Sequence, residues 1–171
     1  MRGKGLIRSL NRRGTRADSR PAVAQKIPPP PEPSVCERCG AIYSRRTWRA
    51  RPGRSVATTM GARWTVCPAC KQLGRGEGYG RVVAQGRFVV QNIEPIRRRI
   101  ANVGARAQRT QPERKIISTE LAGERLEILT TSQKLAHRIT HELRKAFGGK
   151  ATYSWAEDGA LDAIWRKGRQ A

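Results

Sequence analysis

The sequence predicts an α+β protein: a cysteine-centred module, a small ββαββ antiparallel-sheet domain behind it, and a disordered basic tail in front. Three observations carry this reading. The cysteines occur as two Cys-x-x-Cys pairs, Cys36/Cys39 and Cys67/Cys70. Residues 114–168 hold short runs of alternating apolar and polar positions, broken once by a stripe of helical period. Residues 1–33 are rich in cations and proline and show no apolar period.

Charge and size set the outer limits. The chain has 171 residues, 35 Lys and Arg against 13 Asp and Glu, and a formal net charge of +22. That length allows one domain, or two small ones with tails. The 10 Pro and 17 Gly interrupt the apolar runs, so one large core is excluded. A module below roughly 70–80 residues leans on a metal or on disulfides. No apolar stretch approaches the ~18 residues needed to span a bilayer, which excludes an integral membrane protein. No short apolar run follows the first charged residues, as a secretory leader requires. The expectation is a cytoplasmic chain with reduced thiols. The cation surplus points to a polyanionic partner, most simply nucleic acid.

In the tail, cations recur from Arg2 to Lys26, and Asp18 is the sole acid before Glu32. The run Pro28-Pro29-Pro30-Pro31 imposes an extended polyproline conformation. Such a segment buries too little to fold alone and reads as an arm that settles on a nucleic-acid backbone. A solubilising tail, or an Arg-rich and acid-poor presequence, fits the same composition.

Residues 34–91 read as the cysteine module with a β-hairpin after it. The hairpin is Arg81-Val82-Val83-Ala84, a turn at Gln85-Gly86, and Phe88-Val89-Val90. Residues 92–110 read as a connecting helix and linker. Asn92 is a good N-cap, and Pro95 is tolerated in the first turn. Ile93, Ile96, Ile100 and Val103 make one apolar stripe, with Arg97, Arg98 and Arg99 on other faces. Residues 104–113 read as a linker, with Gly104 and Pro112 as punctuation. Residues 114–168 give the ββαββ order. Ile116-Ile117 and Leu126-Glu127-Ile128-Leu129 are strand-like around a turn at Ala122-Gly123. Thr130 and Gln133 have capping-box spacing. Leu135, Ile139, Leu143 and Ala146 form a helix face that Gly148-Gly149 ends. Ala151, Tyr153 and Trp155 alternate, and after a turn at Glu157-Asp158-Gly159 so do Leu161, Ala163 and Trp165. No internal repeat is present.

The chemistry lies in Cys36-Glu37-Arg38-Cys39-Gly40 and Cys67-Pro68-Ala69-Cys70. Two thiolates three positions apart close on one ion from a tight turn, and Gly40 permits the positive φ of such a knuckle. Two knuckles give four sulfurs at about 2.3 Å in a tetrahedron. That shell is closed to water, so the ion is structural: Zn2+ by the spacing, with iron satisfied by the same ligands. Binding worth about 10–16 kcal/mol would be the module's folding free energy. Strands should bracket the site at Ala41-Ile42-Tyr43 and Arg63-Trp64-Thr65-Val66. Two disulfides would use the same cysteines. A redox pair lacks the βαβ context.

Cations crowd this module: Arg38, Arg45, Arg46, Arg49, Arg51, Arg54, Arg63, Lys71 and Arg75. A four-thiolate site is anionic, so one or two of them balance it and the rest are free for phosphates. Residues 45–59 read as the loop with the freest arginines, and Arg97 and Arg98 extend the surface onto the helix. Among the rings, Tyr43 and Trp64 are expected to fill the small core beside the metal. Trp48 is expected to stack on bases, as rings and guanidinium planes do on RNA.

Other motifs carry less. Gly74-Arg75-Gly76-Glu77-Gly78-Tyr79-Gly80 matches neither phosphate-binding pattern and reads as a flexible linker. His137 and His141 stand one turn apart without the glutamate of a zinc protease, away from the apolar face, and read as solvated. Glu157, Asp158 and Asp162 follow turn chemistry. No nucleophile has a plausible base, so an enzyme with a small-molecule substrate is not expected.

These residues together resemble a group of small bacterial zinc-ribbon proteins, themselves similar to the family of the nonsense-mediated-decay protein three, the eukaryotic export adaptor of the large ribosomal subunit. The resemblance covers roughly 30–168. It rests on the Pro-rich lead into Cys36-Glu37-Arg38-Cys39-Gly40, on Tyr43, on Cys67-Pro68-Ala69-Cys70, on Gly86-Arg87-Phe88 and Asn92-Ile93-Glu94, and on the stretch from Leu126 to Ala136. The adaptor carries more cysteine pairs and a long C-terminal export segment, which this chain lacks, so nuclear export does not transfer. The resemblance implies binding to ribosomal RNA or a ribosomal subunit, with metal ligation carried over to Cys36, Cys39, Cys67 and Cys70. The sequence thus reads as a zinc-stabilised RNA-binding protein associated with the ribosome or a precursor. A DNA-binding, transcription-associated ribbon and a protein-interaction adaptor are the alternatives.

Overall fold

The computed structural model describes residues 28–50 and 60–168. The expectations for the tail at 1–27, and for Arg51 and Arg54, lie outside the described residues. The fold is mixed α+β, with two mixed sheets and four helices among the described residues.

The first sheet contains only three-residue strands. These are β1 (Ser34–Cys36), β2 (Ile42–Ser44), β3 (Thr47–Arg49) and β4 (Arg63–Thr65), in the order β3-β2-β1-β4. β1 runs antiparallel to β2 and parallel to β4. Arg45 and Arg46 form a tight turn between β2 and β3 rather than the start of a free loop. Both have positive φ, 50° and 59°, a conformation that Asn and Gly usually supply. Glu32 holds the turn: its carboxylate accepts the Arg45 N–H at 2.9 Å and the Arg46 N–H at 2.7 Å. Helix α1 (Pro68–Arg75) follows β4 and starts inside the second cysteine pair.

The expected flexible linker at 74–80 is ordered. Gly74 and Arg75 finish α1, Gly76 caps it in the left-handed region at φ 64°, and Gly80 opens β5 (Gly80–Gln85). A Cβ on Gly80 would stand 2.6 Å from Ala136 Cβ and 2.7 Å from the Ser132 carbonyl. This glycine is there for close packing, not for flexibility.

The second sheet adds β6 (Ile116–Ala122), β7 (Arg125–Thr130), β8 (Lys150–Trp155) and β9 (Leu161–Arg166), in the order β6-β7-β5-β9-β8. The two expected hairpins exist, and the ββαββ order of 114–168 is present. They do not join into an antiparallel sheet, because β5 lies between them, antiparallel to β7 and parallel to β9. Val82, Val83 and Ala84 are all buried, the continuous apolar run of a strand covered on both faces.

That placement also corrects the hairpin expected at 80–91. With both edges of β5 taken, Phe88-Val89-Val90 has no strand to pair with and coils into α2 (Arg87–Gln91). A short apolar run fits either state by period alone. Helix α3 (Ile93–Thr110) then runs into the expected linker and takes up all of it but 111–113. Gly104 lets Ile116 approach, a Cβ there falling 2.7 Å from Ile116 Cδ1, and Ala107 is fully buried. Asn92 marks the start of α3, but its side chain donates back to the Phe88 carbonyl at 3.0 Å and caps nothing. Helix α4 (Gln133–Phe147) is capped by Ser132, whose hydroxyl accepts the Leu135 N–H at 3.3 Å. Thr130, expected in that role, donates instead to the Gly80 carbonyl at 3.0 Å.

The main core lies between one sheet face and α3 and α4. Val82, Ala84, Leu126, Ile128, Leu161, Ala163 and Trp165 line the sheet side. Ile96, Ile100 and Val103 from α3 meet them, with Leu135, Ile139 and Leu143 from α4. On the other face Arg81 sits between Glu127 at 3.4 Å and Asp162 at 3.7 Å.

Candidate metal centre

Local backbone geometry builds each half of the site. Cys36 ends β1, and its carbonyl accepts the Gly40 N–H at 2.8 Å. Gly40 has φ 71°, the left-handed conformation its position calls for. In the second half, Cys67 is the extended residue that opens α1, Pro68 takes the first helical turn, and Cys70 points back from that turn. β1 and β4 pair in parallel, Cys36 opposite Thr65, which brings the two halves together.

The four sulfurs all lie within 4.8 Å of one another, and none is disulfide-bonded. Cys39 Sγ and Cys67 Sγ are 3.8 Å apart. Four thiolates about 2.3 Å from a central ion would stand about 3.8 Å from each other, so the arrangement can hold a metal ion. Cys36, Cys67 and Cys70 are buried, and Cys39 forms the exposed rim.

The electrostatics fit the same use. Burial pushes the Cys36 thiol up, but backbone N–H groups of Cys67, Cys39 and Arg38 outweigh it and bring the group down to about 6. Cys67 is pushed up by burial first, then by the neighbouring sulfurs. Cys70 is also pushed up by burial, against the opposing pull of Lys115. Lys115 lies just before β6, in the second module, and is 7% exposed. Its Nζ donates to Cys70 Sγ at 3.2 Å. Burial opposes its charge, yet the sulfur contacts raise its pKa. Arg38 adds a weaker contact, Nη1 to the Cys70 carbonyl at 3.4 Å. No sequence signal marked Lys115, because its partner is 45 positions away. Groups that touch a ligand this way typically tune affinity 10- to 100-fold. Lys115→Met should therefore weaken metal binding by roughly that factor, read by competition with a chromophoric chelator. Unchanged affinity would mean the lysine is only packed there.

The other singled-out residues spread over the surface. Arg45 and Arg46 stand at the hairpin tip. Arg49 is exposed on β3, Arg63 on β4, and Lys71 and Arg75 on α1. Arg75 leans on Glu77 at 3.9 Å. Arg97, paired with Glu94 at 3.9 Å, and Arg98 lie on the N-terminal half of α3. The C-terminal half of α3 faces the first module. There a cleft of about 570 Å³ is lined by Cys39 and Ala41 on one side and Ala105, Arg109 and Lys115 on the other.

The expected placements of two tryptophans, one in the core and one exposed, are exchanged. Trp48 is 6% exposed and packs on Tyr43 with ring centroids 5.3 Å apart, so it belongs to the core beside the cysteines and is no stacking platform. Trp64 is 65% exposed. β3 sets Trp48 opposite Tyr43, whereas β4 is an outer strand paired only with β1. His137 and His141, read as solvated, are both exposed; the His137 ring also stacks on Tyr153 with centroids 4.9 Å apart and planes at 28°.

Comparison with protein-family models, curated proteins and solved structures finds no match. No helix among the described residues is long and apolar enough to cross a membrane.

Proposed function

We propose that this chain is a non-enzymatic, zinc-stabilised RNA-binding protein that docks on the ribosome or on a ribosomal precursor. The donor set supports zinc. Four thiols with no carboxylate or imidazole among them suit Zn2+ or iron, and a closed four-ligand shell suits a structural ion. When bound, the ion supplies cross-linking of the two knuckles. The chain's own part is to neutralise the thiolates with Lys115 and to present its cations outward.

The observation that carries the RNA reading is the uncompensated charge. The chain has a net charge of +22. Among the described residues the side chains of Arg49, Arg63, Lys71 and Arg98 are exposed and make no ion pair. Exposed cations left without partners favour a polyanion over a neutral protein surface. The family resemblance of the cysteine and helix-start motifs adds the ribosome as the place where that RNA is met.

Sedimentation of native lysate through sucrose at low and high salt tests this. The protein should travel with one ribosomal subunit at low salt and be stripped at high salt. Neutralising about 6–10 phosphates costs ~10³–10⁵ in affinity between 50 and 200 mM salt. Recovery only at the top of the gradient at both salts would overturn the reading. Competition between ribosomal RNA and duplex DNA separates it from a transcription-associated ribbon.

A further inference from the structure

A second surface, far in sequence from the cysteines, combines exposed rings with unpaired cations. β8 is an outer strand, and Ala151, Tyr153 and Trp155 fall on the face that α4 covers. Cover ends before the strand does: Tyr153 is 36% exposed and Trp155 is 64% exposed. His137 of α4 lies flat on Tyr153, so the ledge carries one ring pair already stacked and one ring open.

The exposed charges of the helix beside this ledge are all positive. Lys134, Arg138, Arg144 and Lys145 are exposed on α4, and none makes an ion pair among the described residues. The one acid of the helix, Glu142, is held by Arg99 at 3.7 Å. Lys134 and Arg138 are four residues apart, and like charges at that spacing destabilise a helix. A solvated helix gains by mixing signs; this one does not. The nearest turn acids are Glu157 and Asp158, and Asp158 Oδ1 is engaged by the Ala160 N–H at 3.0 Å.

Resting on the RNA-binding reading above, we infer that the α4–β8 face takes single-stranded RNA. The α4 cations lie along its phosphates, and Trp155 and the His137/Tyr153 pair receive its bases. A single strand is specified because a duplex hides its base faces, which aromatic ledges need.

The test uses the full-length, zinc-loaded protein and a fluorescein-labelled 12-nucleotide oligouridine, read by anisotropy. Trp155→Ala should weaken binding about 10-fold, and Trp155→Phe should restore most of it. The double variant Lys134→Gln/Arg138→Gln should reduce the magnitude of the salt slope by about 1.4, at ~0.7 for each phosphate no longer neutralised. An RNA duplex of the same length should be indifferent to Trp155→Ala. If the wild-type chain binds RNA but these variants bind oligouridine as it does, the inference fails and RNA binding stands. Failure of the wild-type chain to bind any RNA at low salt overturns both. Tighter binding of oligothymidine, or displacement by polyglutamate at equal charge, would give this face to DNA or to an acidic protein and overturn the assignment.

Discussion

Removing the metal should unfold residues 34–50 and 60–75 and leave the second module intact. The first module has little else to hold it. Its strands are three residues long, and its buried side chains beyond the cysteines are few, Tyr43, Trp48 and Ala69 among them. A core of that size cannot offset the ordering of some thirty described residues at about 1–2 kcal/mol each. Metal binding worth about 10–16 kcal/mol can close the gap. Chelation, or Cys67→Ser, should abolish hydrogen-exchange protection in β1 to β4 and α1. Amides of β5, α3 and α4 should keep theirs. Persistent protection in the metal-free first module would show that its apolar contacts suffice.

The second large effect is expected at Trp165. Its ring is fully buried and meets Phe88 and Phe147 at centroid distances of 6.3 and 6.2 Å. Its indole N–H donates to the Gly148 carbonyl at 2.9 Å, which ties β9 to the end of α4. Trp165→Ala leaves a large cavity and an orphaned carbonyl, a loss of about 3–5 kcal/mol. Small domains have only about 5–15 kcal/mol in total. Thermal unfolding of the second module should drop by roughly 20 °C. A drop of a few degrees would mean that neighbouring side chains collapse into the space. Trp165→Phe, which keeps a ring and loses the donor, separates the hydrogen bond from the packing.

Local chemistry was legible in the sequence, and long-range pairing was not. The two cysteine pairs and Gly40 could be read because each knuckle is closed within five residues. β8, β9 and α4 could be read from alternation and a helical stripe, and β6 and β7 from short apolar runs on either side of a glycine turn. β5 was identified as a strand but not as the central one, since its partners β7 and β9 lie 40 and more positions away. Phe88-Val89-Val90 is too short for its period to decide. Trp48 and Trp64 sit in three-residue strands, where one residue of register decides which ring is covered. Ser132 beat Thr130 as cap because the Thr130 hydroxyl was already engaged with β5.

The Lys115–Cys70 contact has a further consequence for recognition. It joins a residue at the edge of one module to a metal-ligand candidate in the other, so it ties the module with the exposed arginines to the module that carries the α4–β8 face. If both surfaces bind one RNA as proposed, the tie makes them a bivalent ligand: once the first engages, the second meets its site at a high effective concentration, which can raise avidity by about 10²–10⁴. The gain vanishes when the partner's two sites are spaced differently. On that proposal, discrimination would draw on the partner's three-dimensional shape and not on its base sequence alone.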